Sequence, residues 1–257
     1  MKNYKAIIYN VLVLILILIL FSFVYVNFYK ILKSSSEINI NLSLNQNTGL
    51  KAEITNDLNE LYYNENKINK IPNVSEADIV YQWFDKSINS VCYSSIIYNK
   101  YITDFSSVSF KRPVDVSKLP TIKFVDLVTL NKNDFVEGRK NIIFKFPNNE
   151  TVQFCFKDDM YYFYEINATQ NNSIEMSAVC FTNIVVMEIN NYYNKYIFSN
   201  KSKINGTGFV LSNGKYKEVV FKDNLMFDNT SNHQVPLLKG NTFWYFLTPD
   251  SKIEYSN

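Results

Sequence analysis

The sequence predicts a β-dominated α+β protein, with an N-terminal transmembrane helix followed by a two-part extracytoplasmic domain built of antiparallel sheets. Three observations lead to this fold class. The first is a long apolar segment between Lys5 and Lys30. The second is a series of short runs beyond it, in which apolar and polar residues alternate as they do in β-strands. The third is Asn213–Gly214 between two such runs, a pair typical of a β-hairpin turn.

The apolar segment, residues 6–29, contains no charged side chain. A helix of this length extends about 36 Å, more than the roughly 30 Å hydrocarbon core of a bilayer. A cleaved signal peptide has a shorter apolar region and small residues at its cleavage site, and this segment has neither. No cysteine precedes Cys92, so a lipid-attachment cysteine is missing as well. We therefore predict an uncleaved transmembrane helix that anchors the chain in the cell membrane.

The predicted orientation in the membrane rests on the length of the domain that follows the apolar segment, not on the charges that flank it. Lysines flank the segment on both sides, so the positive-inside rule does not choose an orientation. Long following domains cross a membrane largely regardless of such charges, which favours a single-pass protein with a cytoplasmic N-terminus. The predicted division is a cytoplasmic tail at 1–5, the membrane helix at 6–29, a Ser-rich tether at 30–46, an N-terminal α+β part at 47–143 and a C-terminal β-rich part at 144–257.

Hydrophobic periodicity assigns the elements of the extracytoplasmic part. Leu50, Ile54, Leu58 and Leu61 recur at helical spacing and predict a short amphipathic helix. From Ala77 the period changes to two, which predicts a strand in "ADIVYQWF". The other predicted strands lie in "TIKFVDLVTL" (121–130), "NIIFKF" (141–146), "TVQFCF" (151–156), "MYYFYEI" (160–166), "FTNIVVMEI" (181–189), "GFVLSNGKYKEVVF" (208–221) and "NTFWYFLT" (241–248).

Composition excludes several function classes. The formal net charge is +2 and only Arg112 and Arg139 are arginine, so we expect no nucleic-acid partner. The only histidine is His233, in a polar segment where we expect it to be exposed, so the usual base for a Ser or Cys nucleophile is missing. One histidine and three scattered cysteines do not form a zinc site, and six glycines do not form a phosphate loop. We predict no catalytic residue, metal or cofactor.

Carboxylates remain as candidates for chemistry. Glu76 and Asp78 stand two residues apart before an apolar run, and Asp158–Asp159 and Glu137 are further candidates for a paired-carboxylate hydrolase. The structural interpretation competes with this one: Asp158–Asp159 lies between two predicted strands, where Asp commonly forms turns. Glu76 and Asp78 likewise suit the start of a buried strand. A cell-wall hydrolase that uses these carboxylates remains an alternative function.

Cysteines and glycosylation motifs leave two further alternatives open. Cys155 and Cys180 either form a disulfide in an oxidising compartment or, like Cys92, serve as small buried apolar side chains. Eight Asn-x-Ser/Thr motifs follow the anchor, at positions 41, 73, 149, 167, 171, 200, 205 and 229. They indicate either a viral or eukaryotic glycoprotein ectodomain or chance in an Asn-rich chain.

The segments "NQNTGL" (45–50), "NVSEADIVYQ" (73–82) and "SSVSFKRP" (106–113), followed by several later motifs in the same linear order, resemble the YerB-like family. Its members are extracytoplasmic proteins of low-GC Gram-positive bacteria, usually lipoproteins without an assigned biochemical role. "NQNTGL" (45–50) and "NVSEADIVYQ" (73–82) are similar to segments of the family's N-terminal part. "SSVSFKRP" (106–113) resembles an arginine motif but has Ser109 in place of its first Arg. "ETVQFCFKDDMYYFYEIN", "FTNIVVMEI", "GTGFVLSNGKYKEVVFKD" and "VPLLKGNTFWYFL" resemble its C-terminal part, so that the likeness covers about 45–255.

The resemblance implies a fold and a site. It implies a strand in "ELYYNEN" (60–66), in place of the end of the predicted helix. It implies a ligand site near Asp78, Tyr81 and Arg112, in which Arg112 binds an anionic group in bidentate fashion. Here a transmembrane segment replaces the family's lipid-bearing cysteine, and the first Arg of its motif is missing. We therefore expect a divergent, membrane-anchored envelope protein that binds or scaffolds, with an envelope protein or a cell-wall polymer as partner.

Overall fold

Two β-sheets form the framework of the structure, a computed structural model that describes residues 58–63, 68, 71, 74–98, 106–114, 119–130, 135–137, 140–167, 173–189, 205–223 and 225–256. The strands of the N-terminal half are β1 (Leu58–Tyr63), β2 (Ile79–Asp85), β3 (Ser90–Tyr98), β4 (Val108–Pro113), β5 (Phe124–Val125), β6 (Val136–Glu137) and β7 (Asn141–Lys145). Those that follow are β8 (Thr151–Lys157), β9 (Met160–Asn167), β10 (Ser173–Phe181), β11 (Asn183–Glu188), β12 (Gly206–Ser212), β13 (Lys215–Lys222), β14 (Leu225–Asp228), β15 (Leu237–Leu238), β16 (Thr242–Leu247) and β17 (Lys252–Ser256). A 3₁₀ turn, Val74–Glu76, and one helical turn, α1 (Leu127–Leu130), complete the elements of the described residues.

The larger sheet has ten strands and is mixed. Its order is β14-β13-β12-β11-β16-β2-β3-β1-β4, and β6 pairs with β13 beside this path. β16 runs parallel to both of its neighbours, β11 and β2, whereas the other pairs of the sheet are antiparallel. Strands from both 47–143 and 144–257 contribute to it. The predicted β-dominated class with antiparallel pairing is confirmed, with a parallel centre that the sequence analysis did not predict.

The central strands are buried on both faces. Every residue of β2 is buried, and all but the last residue of β11 and of β16 are buried as well. Strands of this kind carry continuous apolar runs instead of alternating ones, which suits the "NIVVM" and "TFWYF" of β11 and β16. The sheet therefore needs a covering layer on each side.

The smaller sheet covers one side. It has five antiparallel strands in the order β10-β9-β8-β7-β17. Its inward residues alternate with outward ones, as in Ile142 and Phe144 of β7, and they pack with the larger sheet in one hydrophobic cluster. Phe144 and Tyr245 meet across this interface with ring centroids 4.2 Å apart. The second cluster lies on the other face of the larger sheet, where Leu119 and Val235 contribute from segments between strands and Leu237 contributes from β15.

Two hairpin turns follow from local sequence. Asn213 and Gly214 have φ angles of 52° and 69° between β12 and β13, the left-handed pair that a type I′ turn requires. Asp158 and Asp159 have φ angles of 50° and 62° between β8 and β9. The predicted hairpin at Asn213–Gly214 is confirmed, and the structural interpretation of Asp158–Asp159 as a turn is confirmed with it.

Two predicted elements are wrong. The predicted helix is wrong at its end, since Leu58 and Leu61 belong to strand β1, in which Leu58, Glu60 and Tyr62 alternate with residues that face the other sheet. The positions of Leu50 and Ile54 lie outside the described residues. The strand expected at 121–130 is reduced to β5. The chain then turns at Asp126, which caps the start of α1: its carboxylate accepts a hydrogen bond from Thr129 N (2.8 Å). The strand implied at 60–66 is present over 60–63, and residues 64–66 lie outside the described residues.

The predicted membrane anchor lies outside the described residues, as do the cytoplasmic tail and the tether. Within the part of the chain that the structure describes, no helix has the length and apolar character needed to cross a bilayer.

Candidate functional site

A group of aromatic side chains lies on the face of the larger sheet that is turned away from the smaller one. It comprises Tyr62 of β1, Tyr81 and Trp83 of β2, and Trp244 and Phe246 of β16. We call this group the aromatic face. All five side chains are buried. They lie on adjacent strands whose order is β1-β3-β2-β16, and no large side chain of β3 separates Tyr62 from Tyr81, because Ser94 is the register partner of both.

The rings of the aromatic face contact one another across strands. Tyr62 and Trp83 meet edge to face with centroids 6.3 Å apart, above the small residues of β3. Tyr81 lies 6.3 Å from Trp244 and 6.2 Å from Phe246. Such pairs stabilise a fold by about 0.5–1.5 kcal/mol beyond their buried area, so these contacts hold the five rings in place.

A buried carboxylate lies beside these rings. Glu60 is only 3% exposed, and its Oε1 accepts a hydrogen bond from the Tyr62 hydroxyl at 2.6 Å. Burial raises the pKa of Tyr81 well above its ordinary value. The charge of Glu60 raises this pKa further, and the electrostatic effect of Tyr62 makes the third contribution in the same direction. Tyr81 is therefore a neutral phenol at physiological pH, close enough to Glu60 to be affected by its charge.

A β-bulge adjoins the same position. The register between β1 and β4 shifts after Tyr62, since Tyr62 pairs with Phe110 and Tyr63 pairs with Val108. The extra residue, Ser109, donates a hydrogen bond from its hydroxyl to Tyr62 O (3.0 Å). Bulges of this kind redirect side chains and are common beside binding sites. Phe110, next to the bulge, contacts Tyr62 with centroids 5.9 Å apart and is 44% exposed.

Two buried donors of the aromatic face lack acceptors. The indole N–H groups of Trp83 and Trp244 have no hydrogen-bond partner among the described residues, although these side chains are 2% and 1% exposed. A buried N–H without an acceptor costs about 1–3 kcal/mol, so such groups are rare in native folds.

The three site residues implied by the family resemblance occupy different positions around Glu60. Tyr81 belongs to the aromatic face. Arg112 is the register partner of Glu60 in β4. Asp78 is 9% exposed and precedes β2, where its main chain joins two strands: Asp78 N donates to Ile96 O (2.9 Å) and its carbonyl accepts from Thr242 N (3.0 Å). The backbone of Asp78 thus helps to hold β2 between β3 and β16.

Glu60 is the residue that the sequence analysis missed. Helical spacing assigned its segment to the wrong element, which hid the alternation of Leu58, Glu60 and Tyr62. The signal was available, because a charged residue at an inward position of a strand is rare unless it has a partner.

The other chemical candidates from the sequence lie apart from this group. Glu76 is exposed on the 3₁₀ turn, whereas Asp78 is nearly buried, so the two carboxylates have different surroundings. His233 is exposed, as expected, and its carbonyl accepts a hydrogen bond from Asp228 N (2.8 Å). Glu137 lies in β6. No group of His, Cys, Asp or Glu suited to a metal occurs within the described ranges.

The three cysteines are free and partly exposed. Cys155 of β8 and Cys180 of β10 are both register partners of Tyr162 in β9, so a whole strand separates them. Two strand spacings amount to about 9.6 Å, beyond the Cα separation that a disulfide spans. Of the two alternatives, the disulfide is therefore wrong for this fold, and the cysteines are not fully buried either.

These features define a two-sheet β protein whose larger, mixed sheet carries a buried aromatic face with a carboxylate at its margin. No family model and no curated protein matches the chain. Among solved structures, the YerB protein from Bacillus subtilis has a similar fold, with a TM-score of 0.52 and 11% sequence identity, covering 82% of this chain and 99% of that one. At this identity the likeness shows a YerB-like fold and nothing more specific.

Proposed function

We propose that the chain is a single-pass membrane protein of the bacterial cell envelope, whose β-rich domain lies outside the cytoplasm and binds or scaffolds rather than catalyses. Two facts support the location. Residues 6–29 form an uncharged apolar segment of membrane-spanning length. The domain has the fold of YerB, which agrees with the motif resemblance to an extracytoplasmic family.

The aromatic face carries the binding part of the proposal. Two indole donors without a hydrogen-bond partner among the described residues, aromatic rings in mutual contact and the neighbouring Glu60 support this part, because binding sites combine apolar side chains with a few polar groups that set orientation. In this proposal Tyr81, Arg112 and Asp78 belong to the same site. The partner is an envelope protein or a cell-wall polymer.

A crosslinking pull-down from intact cells tests the binding role. We expect the full-length chain to retain a partner that Tyr81→Phe and Arg112→Ala reduce by about tenfold, the effect of about one lost hydrogen bond or ion pair. Lys111→Ala is the matched control for Arg112, because Lys111 is exposed on the adjacent position of β4. A partner retained equally by all variants contradicts the site assignment, and no partner in any sample contradicts the binding role.

Incubation of the purified protein with peptidoglycan tests the non-catalytic part. We expect no soluble fragments. Release of fragments, abolished by Asp78→Asn, contradicts the proposal in favour of the carboxylate hydrolase.

A further inference from the structure

We infer that the turn α1 inserts into the surface of the lipid bilayer that anchors the chain, an inference that rests on the membrane location proposed above. α1 presents Leu127 and Val128 to solvent, with side chains that are 42% and 68% exposed. Thr129 is exposed as well, so that only Leu130 of this turn is buried. Surface turns normally carry polar residues, and adjacent large apolar side chains in solvent indicate a contact with protein or lipid.

The position of α1 in the fold is the second observation. α1 packs beside β15. Leu238 of β15 is held by the side chain of Asn183, which donates a hydrogen bond to Leu238 O (2.9 Å) and accepts one from Leu238 N (3.1 Å). Asn183 begins β11 and is the register partner of Thr242, which begins β16. α1 therefore lies at the end of the larger sheet where β11 and β16 start, which we call the α1 end.

A third exposed apolar side chain lies at the α1 end. Val136 of β6 is 64% exposed, and its register partner is Tyr216 near the start of β13. The hairpin turn before β13 follows Ser212, the register partner of Asn183. Three of the six large apolar side chains that are exposed among the described residues are thus found at this end.

The chain also enters the larger sheet at the α1 end. The first residue of β16 pairs with Ile79, which begins β2 and pairs with Ile96 of β3. Leu58, which begins β1, pairs with Tyr98 two positions further along β3. Residues 30–57 connect the predicted anchor to this point and extend at most about 100 Å. Such a connection keeps the domain at a high local concentration beside the bilayer, so that a contact through a few side chains suffices.

Exposed lysines border the apolar turn. Leu237 N donates a hydrogen bond to Lys123 O (2.9 Å) and Lys239 N donates to Val125 O (3.3 Å), so the two lysines flank the β5–β15 pair. The carboxylate that caps α1 offsets only one of these two charges. Lysine ammonium groups stay at the level of the headgroups while neighbouring apolar side chains enter the acyl region. This combination of side chains suits an interfacial contact with lipid.

A lipid surface fits the site better than a protein partner. A stable protein interface buries about 800 Å² on each side. The other exposed large apolar side chains do not extend the site: Phe110 lies in β4, Tyr255 in β17 and Ile88 in the turn between β2 and β3. That turn is at the opposite end of the sheet, where Asp85 pairs with Ser90. Insertion into a bilayer needs no complementary surface.

Photolabelling from the lipid tests the inference on the full-length wild-type chain. The protein is reconstituted in vesicles of phosphatidylcholine and phosphatidylglycerol that contain a lipid with a diazirine on its acyl chain near the headgroup. Trypsin releases peptide 124–132, which contains Leu127 and Val128, and peptide 87–100, which contains Ile88. We expect about tenfold more label in 124–132 than in 87–100, measured by mass spectrometry. Equal label in both peptides, or none in 124–132, overturns the inference.

Variants separate insertion of these side chains from mere proximity to lipid. Leu127→Ser/Val128→Ser should reduce the label in 124–132 by about tenfold, because polar side chains do not enter the acyl region. Ile88→Ser is the matched control, an exposed apolar residue at the opposite end, and should leave that label unchanged. Thermal unfolding verifies that both variants are folded. Should the double variant not fold, Val128→Ser tests the same point, and unchanged label in a folded variant contradicts the inference.

Peptide 6–30 reports separately on the proposed location, because it contains the predicted anchor. Label in 6–30 together with none in 124–132 overturns the lipid contact of α1 and leaves the membrane location intact. Absence of label from both peptides overturns both.

Discussion

At the scale of single residues, the ion pair between Lys217 and Asp228 links β13 to the end of β14. Their side chains are 14% and 10% exposed. The Asp228 carboxylate also accepts hydrogen bonds from the main-chain and hydroxyl groups of Thr230, both at 2.7 Å, and from Ser231 N at 3.1 Å. Burial favours the protonated acid, but these hydrogen bonds, with that from Lys217, hold the pKa of Asp228 well below its ordinary value.

Loss of this charge is expected to destabilise the fold. Asp228→Asn removes the ion pair but keeps the shape, so we expect the free energy of unfolding to fall by about 1–3 kcal/mol at neutral pH. Urea denaturation followed by circular dichroism measures it. Glu254→Gln, which breaks the exposed Lys145–Glu254 pair, is the control and should cost at most about 1 kcal/mol. Equal losses in the two variants contradict the prediction.

The contribution of Asp228 to the stability of the fold changes with pH in a direction that its lowered pKa determines. Because the folded-state pKa of Asp228 is lowered, the ionised carboxylate stabilises the fold. Its contribution is complete above the ordinary aspartate pKa of about 3.9 and is lost progressively as the pH falls below that value. Wild type and Asp228→Asn should therefore converge in stability on acidification. A gap that stays constant down to acid unfolding contradicts this assignment.

At the scale of elements, the β12–β13 hairpin depends on its turn. Gly214 has a φ of 69°, and a Cβ there would lie 2.8 Å from two ring carbons of Phe156 in the smaller sheet. We expect Gly214→Ala to lower the free energy of unfolding by about 1–3 kcal/mol, from backbone strain together with the clash. Thermal unfolding measures the loss.

Asn213→Gly is the matched control for that turn. Asn213 also has a positive φ, of 52°, which Gly adopts without strain. The change should leave stability within about 0.5 kcal/mol. Since Gly214 N donates a hydrogen bond to the Tyr161 hydroxyl (2.9 Å), the hairpin is also attached to the smaller sheet. A Gly214→Ala variant as stable as Asn213→Gly would contradict the prediction that the turn requires glycine at position 214.

Elements with strong local patterns were predictable, and those determined by tertiary partners were not. "ADIVYQWF" and "NGK" specify their strand and turn through alternation and positive φ, which are local properties. Leu58 and Leu61 have helical spacing, but in the strand they face opposite sides of the sheet, and only the pairing of β1 with β3 and β4 selects the strand. The parallel placement of β16 has no local signal, because it depends on strands distant in sequence.

The candidate site was predictable in part. Tyr81 came from a motif resemblance, and its role in a site stays a prediction. Glu60 was hidden by the wrong element, and the two indole donors carry no sequence signal at all, because whether an N–H has an acceptor depends on the assembled sheet. Residue types identify candidates, whereas partners and burial decide among them.

At the scale of the whole molecule, two partly exposed thiols report the side of the membrane. Under the proposed topology, a membrane-impermeant maleimide should label Cys155 and Cys180 in intact cells. Burial raises the pKa of both thiols above their ordinary value of 9.0, so labelling should be slower than for a free cysteine and accelerate with pH. Mass spectrometry of the recovered protein measures the modified positions.

The matched variant for this experiment is Cys155→Ser/Cys180→Ser, which keeps the partly exposed Cys92 and should lose the label at positions 155 and 180. Lysed cells provide the reference for full access. Labelling of these thiols only after lysis contradicts an extracytoplasmic domain.

The position of β16 has a consequence for how the protein is made. In the larger sheet this strand alone joins β14-β13-β12-β11 to β2-β3-β1-β4, yet it follows all of them in the sequence. A chain that emerges in order of synthesis therefore holds two separate half-sheets until residue 247 is released. Under the proposed extracytoplasmic topology, the larger sheet is therefore completed only after nearly all of the chain has crossed the membrane.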